Sequence, residues 1–130
     1  MILRSGPTLL DTCVIIDVSR GKDAAIAFVS GLQDTPALSA VTVMEIVAGC
    51  RSVKERRQVD RLLSHYTIHY INLNIAGIAG DSIRQYGRSH GTDPIDALIA
   101  ATANAHGLPL ATLNIKHFPM FAGLTRPYPI

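Results

Sequence analysis

The fold is decided by the stretch DPIDALIAATANAHGLPLAT, residues 93–112. Residues 94–106 carry apolar side chains at helical spacing along one stripe, and Gly107 follows in the position of a C-cap glycine. The run 108–112 is short and apolar and ends in a polar residue, which is typical of a buried strand in a parallel sheet. A helix that leads directly into such a strand predicts an α/β fold with helical crossovers.

The same alternation of strand and helix runs through the rest of the chain. Strands are predicted over 7–11, 36–40, 67–72 and 108–112, and helices over 13–20, 23–33, 42–50, 54–66, 75–90 and 94–106. The final segment, TRPYPI, is too rich in proline for a central strand, so we assign it to a sheet edge. The predicted fold class is α/β, a three-layer sandwich with a central, mostly parallel sheet flanked by helices.

Length and composition favour one compact domain over residues 1–130. Apolar residues make up 48% of the chain and charged residues 17%, which excludes intrinsic disorder. The apolar runs are shorter than the roughly 20 residues that span a bilayer. Gly6 and Pro7 interrupt the segment that a signal peptide would need, so we expect a cytoplasmic protein. Two cysteines, Cys13 and Cys50, are too few for a disulfide framework and are expected to be reduced core thiols.

Three acidic residues stand at the start of a predicted helix that follows or flanks a strand: Asp11, Glu45 and Asp96. Loops at the carboxyl ends of parallel strands gather at one edge of the sheet, so we expect these carboxylates to converge there. Converging carboxylates repel one another unless a cation lies between them. Because the ligands are oxygens and no Cys/His set accompanies them, the cation is expected to be Mg²⁺ or Mn²⁺ rather than zinc.

Two of these acids also have a purely structural interpretation. Asp11 could simply cap the helix that begins near Thr12. Thr42 followed three residues later by Glu45 matches a capping box, which would place Glu45 in the first turn of its helix.

The last helix and the strand after it supply further candidates. Asp93 is predicted to be the N-cap of helix 94–106, so Asp96 is free for metal ligation. Thr112 and Asn114 follow the last strand at the same edge, although both are also common loop residues. Of the five histidines, only His117 is expected near the site.

Three segments now carry a resemblance to a known family: LLDTCVIID, SAVTVMEIVAG and DPIDALIAATANAHGLPLATLNIKHF. In this order and at these separations they resemble the PIN-domain ribonucleases, and most closely the VapC-type toxins of bacterial type II toxin–antitoxin (VapBC) pairs. The similarity runs from about Thr8 to Phe118. It implies a PIN-like domain that acts as an endoribonuclease, hydrolysing RNA phosphodiester bonds with a water activated by Mg²⁺ or Mn²⁺.

The resemblance also implies roles for individual residues. Asp11, Glu45 and Asp96 match the family's catalytic acids, which hold one or two divalent metals. Asn114 matches a fourth position that is Asp in many members, and the asparagine removes one negative charge, which weakens the case for a second metal. The accessory candidates are Asn114, Asp93, Thr12 and Thr112, of which the two threonines match positions that would orient the metal-bound water.

A basic segment, CRSVKERRQVDR at residues 50–61, is predicted to bind the RNA. Its candidate RNA-binding residues are Arg51, Lys54, Arg57 and Arg61, and Arg84 with Arg88 lie a turn apart on another helix. A solvated helix face is the alternative for each residue taken singly. The net charge of +2 comes from 12 Lys and Arg against 10 Asp and Glu; with three acids committed to a metal, 12 positive groups face 7 negative ones.

Partners follow from the resemblance. A VapC-like toxin would be inhibited by a cognate VapB-type antitoxin whose C-terminal segment lies in a groove and offers an Arg to the acids. A homodimer and a hetero-oligomer with the antitoxin are expected, without a membrane. The alternative is a catalytically weak or inactive PIN-like scaffold that binds RNA or a partner. Asn114 favours this alternative, whereas the three acids favour the enzyme.

Overall fold

The computed structural model describes Arg4 and residues 6–130, and within these residues a four-stranded parallel sheet is flanked by six α-helices. The strands are β1 Leu9–Leu10, β2 Ala37–Ser39, β3 Thr67–His69 and β4 Leu110–Ala111. The helices are α1 Thr12–Ser19, α2 Asp23–Ser30, α3 Ala40–Ala48, α4 Val53–Leu63, α5 Leu73–His90 and α6 Pro94–His106, and a 3₁₀ turn covers Ile115–His117. No helix of the described part is both long and apolar enough to cross a membrane.

The strand order is β3-β2-β1-β4, and every pair is parallel. The predicted fold class is therefore confirmed, although each strand is shorter than predicted. β3 is half-exposed because it lies at an edge of the sheet. At the other edge Thr125 forms a parallel bridge with Ala111, so the segment TRPYPI lies at a sheet edge, as predicted.

Consecutive leucines in β1 connect the sheet to the helices on its two faces. Leu9 packs in an apolar cluster with Ile99 and Ala103 of α6, while Leu10 packs in a different cluster with Val14 of α1. Successive side chains of a strand point to opposite faces, so one strand supports both layers of helices. Both leucines are fully buried, and burial of each side chain contributes about 1.5–3 kcal/mol.

The start of α3 corrects one sequence prediction. The helix begins at Ala40, and its N-cap is Ser39, whose side chain accepts a hydrogen bond from the backbone N of Val41 (3.2 Å). The predicted capping box of Thr42 and Glu45 is therefore wrong, and Glu45 lies in the second turn of α3. The serine at the end of β2 takes the cap because the chain turns directly from strand to helix there.

Other helix boundaries also follow from caps. α4 and α5 begin one and two residues earlier than predicted because Ser52 and Asn72 accept hydrogen bonds from the backbone N of Glu55 (3.0 Å) and Ile75 (2.8 Å). α2 ends three residues earlier, before Gly31. α6 spans the predicted residues 94–106.

Candidate active site

Asp11 directly follows β1 and lies at the carboxyl edge of the sheet, where its side chain is almost fully buried. Oδ1 accepts a hydrogen bond from the backbone N of Thr12 (2.8 Å), and Oδ2 accepts one from Oγ1 of Thr112 (2.6 Å). A buried carboxylate is costly without such donors. Asp11 thus caps α1 and also holds a fixed position beside β4, so its structural and its site interpretation are compatible.

Glu45 is held by a chain of hydroxyl groups. Oγ1 of Thr12 donates to Oε1 of Glu45 (2.5 Å), and Oγ1 of Thr42 lies 3.0 Å from Oγ1 of Thr12. A hydroxyl has one proton, and that of Thr12 goes to the carboxylate, so Thr42 donates to Thr12. We call Thr42, Thr12 and Glu45 the hydroxyl relay. Thr42 is fully buried and was not among the predicted site residues. The signal was its position one turn before Glu45 on the same helix face.

Asp96 lies in the first turn of α6, which Asp93 caps by accepting a hydrogen bond from the backbone N of Asp96 (2.8 Å). Burial of the Asp96 carboxyl, together with the negative charges of Asp93, Asp11 and Glu45, raises its pKa to about 7. This shift indicates that the three predicted acids lie close enough to interact. Nδ1 of His117 is 3.5 Å from Oδ2 of Asp96.

The electrostatics of these acids fit a divalent cation. Oxygen donors suit Mg²⁺ or Mn²⁺, and a cation would favour the ionised form of Asp96 that the neighbouring carboxylates disfavour. By distance alone the side chains do not form a ready site: among Arg4 and residues 6–130, no three His, Cys, Asp or Glu side chains are grouped closely enough to hold a metal ion. Support for a cation in this structure is therefore electrostatic.

Comparison with known proteins identifies the family. A family model for the PIN domain matches residues 8–122. This chain belongs to the PIN-domain family. Ribonuclease VapC10 of Mycobacterium tuberculosis (strain H37Rv) is 44% identical to it over 125 residues, which cover 94% of this chain and 93% of the relative. Ribonuclease VapC19 of the same strain is 36% identical over 124 residues, which cover 92% and 98%.

Solved structures agree with this assignment. A toxin-antitoxin complex from Klebsiella pneumoniae contains a chain that matches this PIN domain with a TM-score of 0.83 and 29% identity, covering 95% of this chain and 99% of the other. FitAcB from Neisseria gonorrhoeae matches with a TM-score of 0.73 and 29% identity, covering 92% and 97%. The predicted resemblance to VapC-type proteins is thereby confirmed.

Thr112 and Asn114 follow β4 at the same edge of this PIN domain. Thr112 is fully buried; its Oγ1 donates to Asp11 and accepts a hydrogen bond from the backbone N of Asn114 (3.0 Å). Asn114 is exposed and makes no side-chain capping bond to the 3₁₀ turn that it precedes. The side-chain amide of Asn114 therefore does not cap the 3₁₀ turn. Its role as the fourth site position stays a prediction.

Cys13 lies beside the acids of the PIN domain and is only half-buried, as is Cys50. Its Sγ is 3.4 Å from Oδ2 of Asp11 and 4.0 Å from Oγ1 of Thr112. Burial and the adjacent charge of Asp11 raise the pKa of the Cys13 thiol to about 12. The thiol is therefore protonated near neutral pH and cannot act as a thiolate nucleophile.

A groove of about 550 Å³ runs from Glu45 between α1, α3 and α4. Its apolar lining includes Ile16, Ile46, Val59 and Leu62. Arg51 lines this groove together with Glu45, and its role in RNA binding stays a prediction. The other three candidates are exposed on α4 outside the lining: Lys54, Arg57 and Arg61.

Proposed function

We propose that this PIN-domain protein is a Mg²⁺- or Mn²⁺-dependent endoribonuclease and the toxin of a toxin–antitoxin pair. The observation that carries the proposal is the charge interaction of Asp96 with Asp11 and Glu45, in a chain 44% identical to a protein named Ribonuclease VapC10. Mutual repulsion of these carboxylates supports a bound cation.

In the proposed reaction Asp11, Glu45 and Asp96 would hold the metal ion. When bound, such an ion neutralises charge on the phosphate and makes a water nucleophilic near neutral pH. The protein's own contribution is to fix the carboxylates: Thr112 and the backbone N of Thr12 hold Asp11, and the hydroxyl relay holds Glu45. The two threonines would thus act on the metal water through the carboxylates that they orient.

Asn114 and Asp93 have accessory roles in this proposal. The exposed amide of Asn114 could accept or donate a hydrogen bond to a phosphate or a water, but it brings no charge to balance a second ion. Asp93 is engaged as the cap of α6 and raises the pKa of Asp96 through its charge. One resident metal ion therefore suits this donor set better than two.

RNA would approach over a surface with basic groups. Arg51 lines the groove beside Glu45, and Lys54, Arg57 and Arg61 are exposed nearby in sequence on α4. Cations that contact backbone phosphates provide affinity without sequence preference. We assign to these residues a non-specific contribution to RNA binding.

The groove also supports the antitoxin part of the proposal. Its apolar lining would accept apolar side chains of a VapB-type antitoxin, and Glu45, which also lines the groove, would pair with an arginine of the antitoxin. The protein with a TM-score of 0.83 to this chain comes from a toxin-antitoxin complex. We therefore infer a hetero-oligomer with such an antitoxin, built on a homodimer of this chain.

The test is cleavage of RNA by the purified protein free of any antitoxin. We expect cleavage with Mg²⁺ or Mn²⁺, none with EDTA, and a loss of at least about 100-fold for Asp11→Asn because a metal ligand is neutralised. Asp34→Asn, an exposed site, is the matched control and should cleave like wild type. Equal cleavage by Asp11→Asn and wild type would refute the assignment. Sequencing the RNA ends after controlled expression would identify the target.

An inactive RNA- or partner-binding scaffold is the second candidate, and the loss of one charge at Asn114 favours it. It predicts RNA or antitoxin binding without metal-dependent cleavage. In that case Asn114→Asp, which restores the charge, is expected to produce Mn²⁺-dependent cleavage where wild type shows none.

A further inference from the structure

A basic cleft lies where α5 leads into α6. It has a volume of about 640 Å³, and we call it the α5 cleft, defined by Ile83, Arg84, Gly87, Arg88 and Thr92. Arg84 and Arg88 are four residues apart on α5, so their guanidinium groups share one helix face. The cleft therefore presents two neighbouring cations that the reaction at the acids does not use.

The α5 cleft adjoins the acids through two contacts. Thr92 is buried, and its Oγ1 donates to the backbone O of His117 (3.0 Å), whose Nδ1 is 3.5 Å from Oδ2 of Asp96. On the helix side, Ile83 packs in one apolar cluster with Ala97, the residue after Asp96. The cleft is thus connected to Asp96 through Thr92 and His117.

The positive charge of the α5 cleft is only weakly neutralised. Nη1 of Arg84 is 3.4 Å from Oδ1 of Asp81, but the side chains are 85% and 79% exposed, and such exposed pairs contribute little. Within Arg4 and residues 6–130, Arg88 forms no ion pair. Arg88 lies in the last turn of α5, where a cation interacts favourably with the helix dipole. The helix dipole therefore accounts for Arg88 but not for Arg84, which lies one turn earlier beside the open cleft.

Gly87 keeps the cleft open between the two arginines. A Cβ at this position would lie 3.5 Å from Cγ2 of Ile83 and 3.6 Å from the backbone O of Thr92. An alanine would just make contact, and a longer side chain would fill the cleft. Glycine inside a helix costs about 0.5–1 kcal/mol relative to alanine, so the open space has an energetic cost.

We propose that the α5 cleft binds a backbone phosphate of the RNA that flanks the cleaved bond. The inference rests on the proposed ribonuclease function. Guanidinium groups bind phosphate oxygens through paired hydrogen bonds, and two of them on one face suit a polyanion better than a single anion. Cations beside the acids also offset the repulsion that the carboxylates exert on RNA. The other lining residues Ile83, Gly87 and Thr92 are uncharged, so no carboxylate in the lining opposes a phosphate.

The test measures binding apart from cleavage. Affinity for a fluorescein-labelled single-stranded RNA is measured by fluorescence anisotropy in EDTA, at low salt and at fourfold higher salt. Each phosphate of a single strand that the protein neutralises adds about 0.7 to the slope of log affinity against log salt concentration. If Arg84→Ala/Arg88→Ala neutralises one phosphate fewer than wild type, its RNA affinity should fall about 2.6-fold less than that of wild type when the salt concentration is raised fourfold. Lys22→Ala/Arg126→Ala removes two exposed cations that lie outside both the cleft and the basic segment 50–61, and is the charge-matched control.

Two further variants separate charge from shape. Arg84→Lys/Arg88→Lys should restore the salt dependence, and Gly87→Leu should weaken binding although both arginines remain. Folding is checked by circular dichroism, and the lysine pair keeps the test decisive if the alanine pair is unfolded. The proposal is wrong if wild type binds no RNA, if the alanine pair matches its control, if lysines do not restore the slope, or if Gly87→Leu binds like wild type. Normal results here without Mn²⁺-dependent cleavage by wild type would support the cleft and reject the proposed nuclease.

Discussion

Asp96→Asn is expected to stabilise the metal-free protein at alkaline pH. Burial and three neighbouring carboxylates raise the pKa of Asp96 from its ordinary value of 3.8 to about 7. The folded chain therefore retains a proton that the unfolded chain releases between these two values. Stability falls as the pH rises through this window, because the folded state binds more protons than the unfolded state. Asparagine has nearly the same shape and carries no charge, so the variant avoids this loss.

The size of this stability loss is worked out between about pH 5 and about pH 7, a range above the pKa values of ordinary carboxyl groups. Between about pH 5 and about pH 7 the loss is about 2.7 kcal/mol, at 1.36 kcal/mol per tenfold change in proton concentration. Solvent screens part of this interaction because the Asp96 side chain keeps 14% of its exposure, and we halve the figure to about 1.4 kcal/mol. For a chain of this length, that corresponds to about 5 °C in Tm.

The assay is thermal and urea unfolding in EDTA at about pH 5 and about pH 8, with Asp34→Asn as the exposed control. The stability of Asp96→Asn relative to wild type should increase by about 1.4 kcal/mol between the two pH values, and that of the control should not change. Added Mn²⁺ should raise the Tm of wild type more than that of Asp96→Asn. An unchanged difference between variant and wild type at the two pH values would refute the electrostatic argument for the cation.

Three other predictions concern groups around the acids. Thr42→Val removes the buried donor of the hydroxyl relay and should lower kcat and Mn²⁺ affinity about fivefold with little change in KM, whereas Thr42→Ser should be near wild type. Thr112→Val removes a hydrogen bond to the ionised Asp11 and should cost about 1.5–3 kcal/mol in urea unfolding, and Thr112→Ser should recover most of it. Cys50→Ala leaves Cys13 as the one thiol, which should react with iodoacetamide near neutral pH far more slowly than free cysteine, because its pKa is raised to about 12. Rapid alkylation of that variant would contradict the burial of the thiol.

Local signals account for the parts of the fold that the sequence predicts well. The bounds of α6 match because Asp93, Pro94 and Gly107 mark its ends through interactions within the helix itself. The start of α3 does not match because two residues there can cap a helix. Ser39 becomes the cap because β2 ends on it, and Thr42 is drawn into the relay instead. That choice depends on where β2 and α1 lie, which the local pattern does not contain.

In the candidate site, too, sequence patterns predict some residues and miss others that depend on tertiary packing. Asp11 follows β1 and Glu45 lies on the helix after β2, so the rule about strand ends selects these two acids. Asp96 follows α5 rather than a strand, and its selection rests on Asp93 already being the cap of α6. The hydroxyl relay and the α5 cleft depend on how α1 packs against α3 and α5 against α6, which is a matter of tertiary contacts. Sequence spacing could indicate only that Arg84 and Arg88 share a helix face, without showing what that face adjoins.

The three acids differ in how the protein compensates their charge, and this difference defines what a cation would do. Asp11 accepts hydrogen bonds from a backbone N and a hydroxyl, and Glu45 accepts one from Thr12. Asp96 instead has Asp93 beside it and a half-exposed His117 3.5 Å away, and burial with the neighbouring carboxylates raises its pKa to about 7. The neighbouring negative charges thus disfavour the ionised form of Asp96. A divalent cation would offset these charges, so metal binding and ionisation of Asp96 should be coupled, with metal affinity rising up to about pH 7 and levelling off above it.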